Sequence, residues 1–453
     1  MGDCFYNLKL LNQLKVIVKK NSLIKVNDIK DEIVKICLYI KYDETEETQE
    51  EWQKDFRKIG NVCAMYNIFL YLCKPDYYER ITSDNHKNRI ADSFSSLLDD
   101  KNSCINIDDQ ILKIRGKIKA AINKDFDFYD EDIIVIWNPF LSNSEYNEIQ
   151  GLTYKRNLIL YGPPGTGKTH AAKSIAKSFI IQKILEIDKT RIYDYITKKV
   201  NIDNKIKRLQ LHSNYSYEDF IAGITLKDGK AEATKGYFFK LCEEIIQDTD
   251  KSPYVLILDE INRIDLSRLF GEAFSAIENR NETIELSIGD FKLVVPDNLY
   301  LIGTMNEIDF SLERLDFALR RRFVWFRYGY NEDILKDIIN SKRQKINIDD
   351  YEINTFIERA TKVNAKIKEL NELGKQYEIG HTFFSEVIDI ANQFVGKSGY
   401  MSKIKLFKKG DCPAVVLWNI SITPMIESFL GNLDEIQKTE RINELREIFI
   451  DGK

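Results

Sequence analysis

Proline is scarce, with eight in 453 residues, and only Pro75 and Pro139 precede residue 150. Glycine is as thin there, limited to Gly2, Gly60 and Gly116. So few breakers leave helices uninterrupted, and the first third is predicted to be mostly helical. The seven cysteines (Cys4, Cys37, Cys63, Cys73, Cys104, Cys242 and Cys412) form no CxxC pair and no zinc spacing. Their odd number predicts reduced core thiols and a cytosolic setting. No apolar run reaches 18 residues, and the start MGDCFYNLKL lacks a basic stretch followed by an apolar one. Membrane insertion and secretion are not expected, and the predicted location is cytoplasmic. An excess of positive charge is also missing: 66 Lys and Arg stand against 71 Asp and Glu, a net −5. Bulk charge therefore does not mark a nucleic-acid binder, and any DNA contact must be a local patch.

What is present is globular in kind, 43% hydrophobic and 30% charged. The length predicts two or three domains. Leu8, Leu11, Leu14 and Val18 repeat at helical spacing, as do Ile33, Ile36, Cys37 and Ile40, with the acidic run Asp43 to Glu51 as a solvated connection. The polar stretch LSNSEYNE, Leu141 to Glu148, is the best boundary. From Asn157 short β-rich runs (NLILY, YVLILDE, LYLIGTMN, FVWFRY) alternate with amphipathic segments, as in a parallel sheet covered by helices. After Tyr330 helical periodicity returns, first through Ile334, Ile338 and Ile339, then through Phe356, Ala360 and Val363. The expected organisation is a mostly helical domain over 1–148, an α/β nucleotide-binding domain over 149–330 and a helical lid over 331–453.

The chemistry concentrates in the middle. Gly162-Pro163-Pro164-Gly165-Thr166-Gly167-Lys168-Thr169, followed by His170, lies between an apolar strand and an Ala-rich helix, the strand-loop-helix context a phosphate loop requires. Its glycines let main-chain amides approach phosphate oxygens, and the next helix adds its positive end. Lys168 supplies a point charge to the β and γ phosphates, and Thr169 a hydroxyl to Mg²⁺. Tyr254 to Glu260 (YVLILDE) ends a buried strand in two carboxylates. Asp259 is predicted in the Mg²⁺ shell and Glu260 as the group that orients and polarises the attacking water. The next strand ends at Asn306, placed either to align that water or simply to form a turn. Arg320, Arg321 and Arg322 precede a further apolar strand, as a solvated face or as a source of guanidinium groups that reach a neighbour's phosphates. IELSIGDFKLVV reads as a hairpin turning at Gly289-Asp290, and Asp228-Gly-Lys230 as a turn. Trp52, Trp137, Trp325 and Trp418 are expected to be packing residues.

GPPGTGKT, HSNYSYEDFIAG, LILDEINR, VPDNLYLIGTMNEIDFSLERLDFALRRRF, IGHTFF and ITPMIESFL, in that order, resemble the McrB family of AAA+ GTPases from modification-dependent restriction systems. The resemblance runs from about Asn157 to Leu430 and leaves out the first 150 residues. It implies an AAA+ P-loop core with a helical lid and a hexameric ring that binds nucleotide between subunits. It also implies a separate McrC-like nuclease partner, with target recognition, DNA included, in the N-terminal region. Asp259 and Glu260 match the family's Walker B pair, Asn306 the asparagine of its Met-Asn-x-x-Asp-Arg-Ser signature, and Arg320 to Arg322 the run that yields a trans-acting finger. Asn262 and Arg263 fall near the same site. The signature departs at Phe310, where the family has arginine. The substrate implied is GTP, with ATP as the choice of MoxR and dynein-related remodellers, and Mg²⁺ as cofactor. His381, in IGHTFF, is expected either over the nucleotide or as a satisfied structural histidine. A protein remodeller and a nucleotide-gated scaffold are the alternatives.

Overall fold

The computed structural model describes residues 67, 71, 76–98, 104–138, 146–197, 201–308, 317–343, 346–398, 404–408, 410 and 412–452. Two compact units divide the chain, Met1–Ser144 with Ile181–Asn201, and Glu145–Ile180 with Ile202–Lys453. The periodic segments before residue 41, the acidic run Asp43 to Glu51, Trp52, the first four cysteines and Phe310 lie outside the described residues.

Where described, the first unit is helical, with α1 Asp84–Ser93, α2 Ile107–Ile122 and α3 Glu131–Trp137. The Asn106 side chain accepts from the Asp109 amide to start α2, acidic Asp108 and Asp109 occupy its first turn, and Lys119 its last. Each of these complements the helix dipole. Ile111, Ile114 and Ile118 form the buried stripe. Beside it Lys87 is buried, and its Nζ meets Asp108 Oδ1 at 2.6 Å and Asn67 Oδ1 at 2.8 Å, the pairing that an interior ammonium needs.

The second unit begins with the helix Tyr146–Lys155, which starts inside the stretch expected as a connection. Among the described residues nine strands follow: β1 Asn157–Gly162, β2 Ile206–Gln210, β3 Ala222–Lys227, β4 Lys230–Lys235, β5 Tyr254–Asp259, β6 Thr283–Glu285, β7 Lys292–Val294, β8 Leu299–Asn306 and β9 Val324–Arg327. Five of them form one parallel sheet in the order β2-β5-β8-β1-β9. Every residue of β5 is buried, which is why it reads as an unbroken apolar run. β3–β4 and β6–β7 are antiparallel hairpins. They turn at Asp228-Gly229 and Gly289-Asp290, all four residues in the left-handed region, as the turn residues predict.

Beyond β9, helices including Glu332–Lys342, Asp350–Glu369, His381–Ser398 and Glu435–Arg446 close on a second core that holds Phe356, Phe384, Trp418 and Phe449. Phe356, Ala360 and Val363 are buried as the spacing predicts. In the first of these helices Ile339 is buried as the spacing predicts, while Ile334 is exposed and Leu335 takes the inward place one turn before Ile339. Trp137 and Trp418 are buried and Trp325 is partly so, all in packing positions.

Candidate active site

Parallel strands bring their carboxyl ends to one edge of a sheet, and here that edge gathers the polar residues. The register pairs Gly162 with Asn306, and Gln210 with Asp259. Because β8 lies between β1 and β5, Asn306 stands between the glycine-rich loop and the carboxylate pair.

The loop is wound around its own lysine. Lys168 Nζ donates to the carbonyls of Gly162 at 3.1 Å and Pro163 at 2.7 Å, and Thr166 Oγ1 donates to Pro163 O at 2.9 Å. Gly165 and Gly167 have φ of 73° and 76°, a region where a side chain is strained. The helix Lys168–Ile187 starts directly at the lysine. Its first turn and positive end therefore face the loop. Such a cradle suits a phosphate chain. Thr169 is half-buried, and His170 points to solvent.

Asp259 is buried and fully engaged. Its Oδ1 accepts from Thr304 Oγ1 at 2.8 Å and Thr169 Oγ1 at 3.2 Å, and its Oδ2 is paired with Arg208 on β2. Thr304 and Arg208 escaped the sequence reading. Glu260 sits in the left-handed region, with φ 59°, which a non-glycine residue occupies only where its surroundings require it. Asn306 Nδ2 contacts both of its carboxylate oxygens at 3.1 Å, and Arg263 Nε lies 3.5 Å from Oε2. The expected Asp259, Glu260, Asn306 and Arg263 therefore meet at one point. A carboxylate held in this way can accept a proton from water, and an amide beside it can align that water.

Residues matched to the AAA domain family, dynein-related subfamily, are 157–323, which span the loop, both carboxylates, Asn306 and the arginine run. This segment is similar to AAA domains. The type IV methyl-directed restriction enzyme EcoKMcrB subunit of Escherichia coli (strain K12) is 31% identical to this chain over 246 residues, covering 52% of this chain and 49% of that protein. The AAA-ATPase At5g17760 of Arabidopsis thaliana is 25% identical over 151 residues, 30% of this chain and 28% of that protein. The chain thus spans about half the length of the first relative and less than a third of the second. Among solved structures, the FIGL-1 AAA domain covers 65% of this chain and 78% of its own at 13% identity, with a TM-score of 0.29, too low to bear on the fold. The α/β unit with its parallel sheet is thus similar to the AAA domain family over residues 157–323 and, over 246 residues, to the E. coli restriction subunit.

Within residues 157–323 the three arginines differ in surroundings. Arg322 is turned inward: its Nη2 lies 2.9 Å from Glu278 Oε2 and its guanidinium 4.3 Å over the Phe274 ring. Arg321 is 67% exposed with a looser 3.4 Å approach to Glu278, and Arg320 is exposed. Two of the three project where another molecule can meet them.

The segment that opens the helix His381–Ser398 rests on the glycine-rich loop. Thr382 donates twice to Gly165 O, from its amide at 3.1 Å and its hydroxyl at 2.9 Å. At Gly380 a Cβ would fall 2.2 Å from the Gly165 carbonyl carbon, so only glycine permits the approach. His381 is buried beneath this contact, with Nε2 facing Gly167 and Nδ1 lacking a hydrogen-bond partner.

Burial, and then the Lys168 ammonium, push the His381 pKa down from 6.5 to about 4. The unfolded chain takes up this proton near pH 6.5, whereas the folded chain does not until about pH 4. The stability that this histidine contributes is thus complete above pH 6.5 and is lost as pH falls toward 4. Between pH 7 and pH 5 the loss is about 2 kcal/mol. Urea unfolding at the two pH values should show His381→Gln losing less stability than the parent by that amount. Equal losses would remove the histidine from the account.

Among the described residues no three His, Cys, Asp or Glu side chains are grouped to hold a metal. The donors at the site fit Mg²⁺ nonetheless, since that ion takes one or two protein oxygens and leaves its other positions to phosphates and waters. Asp259 and Thr169, already 3.2 Å apart, are such a pair.

Proposed function

We propose that this chain is a Mg²⁺-dependent NTPase motor of a DNA restriction or anti-phage system, with GTP ahead of ATP as substrate. It works as a ring, a hexamer, in the cytoplasm with a separate McrC-like nuclease subunit, and its N-terminal region selects the target, DNA included. The observation that carries hydrolysis is the Glu260 carboxylate, held on both oxygens by Asn306 beside Asp259 at the mouth of the phosphate loop. A scaffold that only binds nucleotide has no use for that pair. Similarity to the E. coli restriction subunit supports the setting.

Each residue has a role in this reading. Main-chain amides of Gly162 to Thr169 and the Lys168 ammonium grip the β and γ phosphates. Thr169 and Asp259 would hold Mg²⁺, which would supply positive charge to the phosphate oxygens. Glu260 takes the proton of the attacking water as Asn306 fixes its direction, and Arg320 or Arg321 of a neighbouring subunit meets the charge that develops on the γ-phosphate.

The match to the dynein-related subfamily favours a second reading, an ATP-driven protein remodeller with no nuclease partner. Turnover of GTP and ATP, with and without DNA, separates the two. Lys168→Ala should weaken binding of either triphosphate about 10- to 100-fold, the worth of one charge-assisted contact to phosphate. Titration with a fluorescent nucleotide measures this, and unchanged affinity would refute the site itself.

A further inference from the structure

The residue after Asn306 opens a network that the nucleotide chemistry does not use. Glu307 is buried, and its amide donates to Gly162 O, the first carbonyl of the phosphate loop, at 2.9 Å. Its carboxylate receives Arg327 Nε at 3.2 and 3.1 Å. Arg327 ends β9, in register with Tyr161 of β1, and its other prong crosses to the lid. There Nη2 donates to Lys375 O at 2.6 Å and to Glu378 Oε2 at 2.9 Å. Glu378 is 2% exposed, and its second oxygen takes Lys368 Nζ at 2.8 Å. Asn364 grips the next residue from both sides, accepting from the Ile379 amide at 2.7 Å and donating to its carbonyl at 3.0 Å. One residue further come Gly380, His381 and Thr382, the lid segment on the phosphate loop.

We propose, building on the nucleotide-binding reading above, that Arg327 is a positioning residue: by bridging Glu307 at the Asn306 strand end to Glu378 in the lid, it sets how tightly the lid closes on a bound triphosphate. The physical basis is charge. Two carboxylates withdrawn from water share one guanidinium, whose planar fork serves both at once, whereas Lys368 reaches only Glu378. Without the guanidinium they repel each other across the core–lid junction, and the separation that relieves the repulsion draws residues 380–382 off Gly165. The network is a contiguous set of hydrogen bonds, the kind of path along which a change at Asn306 reaches a lid.

The test is stopped-flow release of a fluorescent triphosphate analogue from the full chain with Mg²⁺, alongside steady-state turnover and melting temperature. Arg327→Gln should speed release and raise KM at least tenfold with kcat changed less than threefold. Adding Glu378→Gln should restore at least half of the loss on a logarithmic scale, because Glu307 then faces no second carboxylate across the junction. Arg327→Lys, which keeps the charge but serves one carboxylate at a time, should fall between. A merely structural role would lower the melting temperature without the KM-against-kcat split or the rescue by a second substitution. If Arg327→Gln does not fold, Arg327→Lys with and without Glu378→Gln is read in its place, with at least threefold faster release as the threshold. Release within twofold of the parent in a folded variant overturns the proposal. No binding by the parent chain would instead overturn the nucleotide-binding reading.

Discussion

Glu260→Gln should bind triphosphate within about threefold of the parent and hydrolyse it about 10²- to 10⁴-fold more slowly, the usual worth of a positioned general base. The substitution keeps the shape of the side chain and one acceptor oxygen for Asn306, which now contacts both carboxylate oxygens. It removes only the ability to take a proton. The hydrogen bonds of Lys168 and Thr166 to the loop carbonyls, and of Thr382 to Gly165, do not run through Glu260, so the grip on phosphate should be kept. Phosphate release in a single turnover, measured beside equilibrium binding, separates the two effects. A drop in hydrolysis of less than fivefold would mean that water is activated elsewhere and that the left-handed turn at Glu260 serves only the packing around Thr304.

The second large effect belongs to the arginine run. Replacing both Arg320 and Arg321 by alanine should cost about 10³- to 10⁵-fold in kcat, the range for a guanidinium supplied to a phosphoryl-transfer site. If the site is shared between subunits, the loss must be curable by mixing. Arg320→Ala/Arg321→Ala chains have intact phosphate loops, and Lys168→Ala chains have intact arginines, so a mixed ring regains some complete sites. Neither population alone should do so. Arg322→Ala should behave otherwise, because Arg322 is tied to Glu278 and Phe274 of its own chain. It should lower the melting temperature, and mixing should not rescue it. Activity that stays near the parent level in the double variant, or that never returns on mixing, would place the site within one subunit.

The parts of this site that were legible in the sequence lie at the ends of buried strands. An apolar run such as YVLILD marks its own strand, and where the run stops the next polar residue is delivered to the ligand edge of the sheet. Asp259, Glu260 and Asn306 were readable for that reason. Arg208 was not, because β2, IKRLQ, is an edge strand with no fully buried residue, and its polar composition resembles a loop. Thr304 lies inside an apolar strand, and no spacing distinguishes it from a packing residue. The Arg327 bridge joins residues 20 and 51 positions apart, and each looks like an ordinary surface charge until the fold brings them together. His381 was placed near the nucleotide only through the resemblance of IGHTFF to a known family. Its buried, unpartnered Nδ1 is a property of tertiary packing.

The contact between Gly380 and the Gly165 carbonyl also bears on where the smallest self-sufficient fragment ends. The motifs of the phosphate site, from the glycine-rich loop to the arginine run, are complete by Arg322, and a designer trimming to them would stop near residue 330. Such a piece would leave Gly165 O without the two Thr382 donors that hold it, and would open the buried face on which His381 rests. The shortest piece that keeps the loop in its present shape therefore has to carry the chain through the helix His381–Ser398, together with the Asp350–Glu369 helix whose Asn364 secures the approach to it.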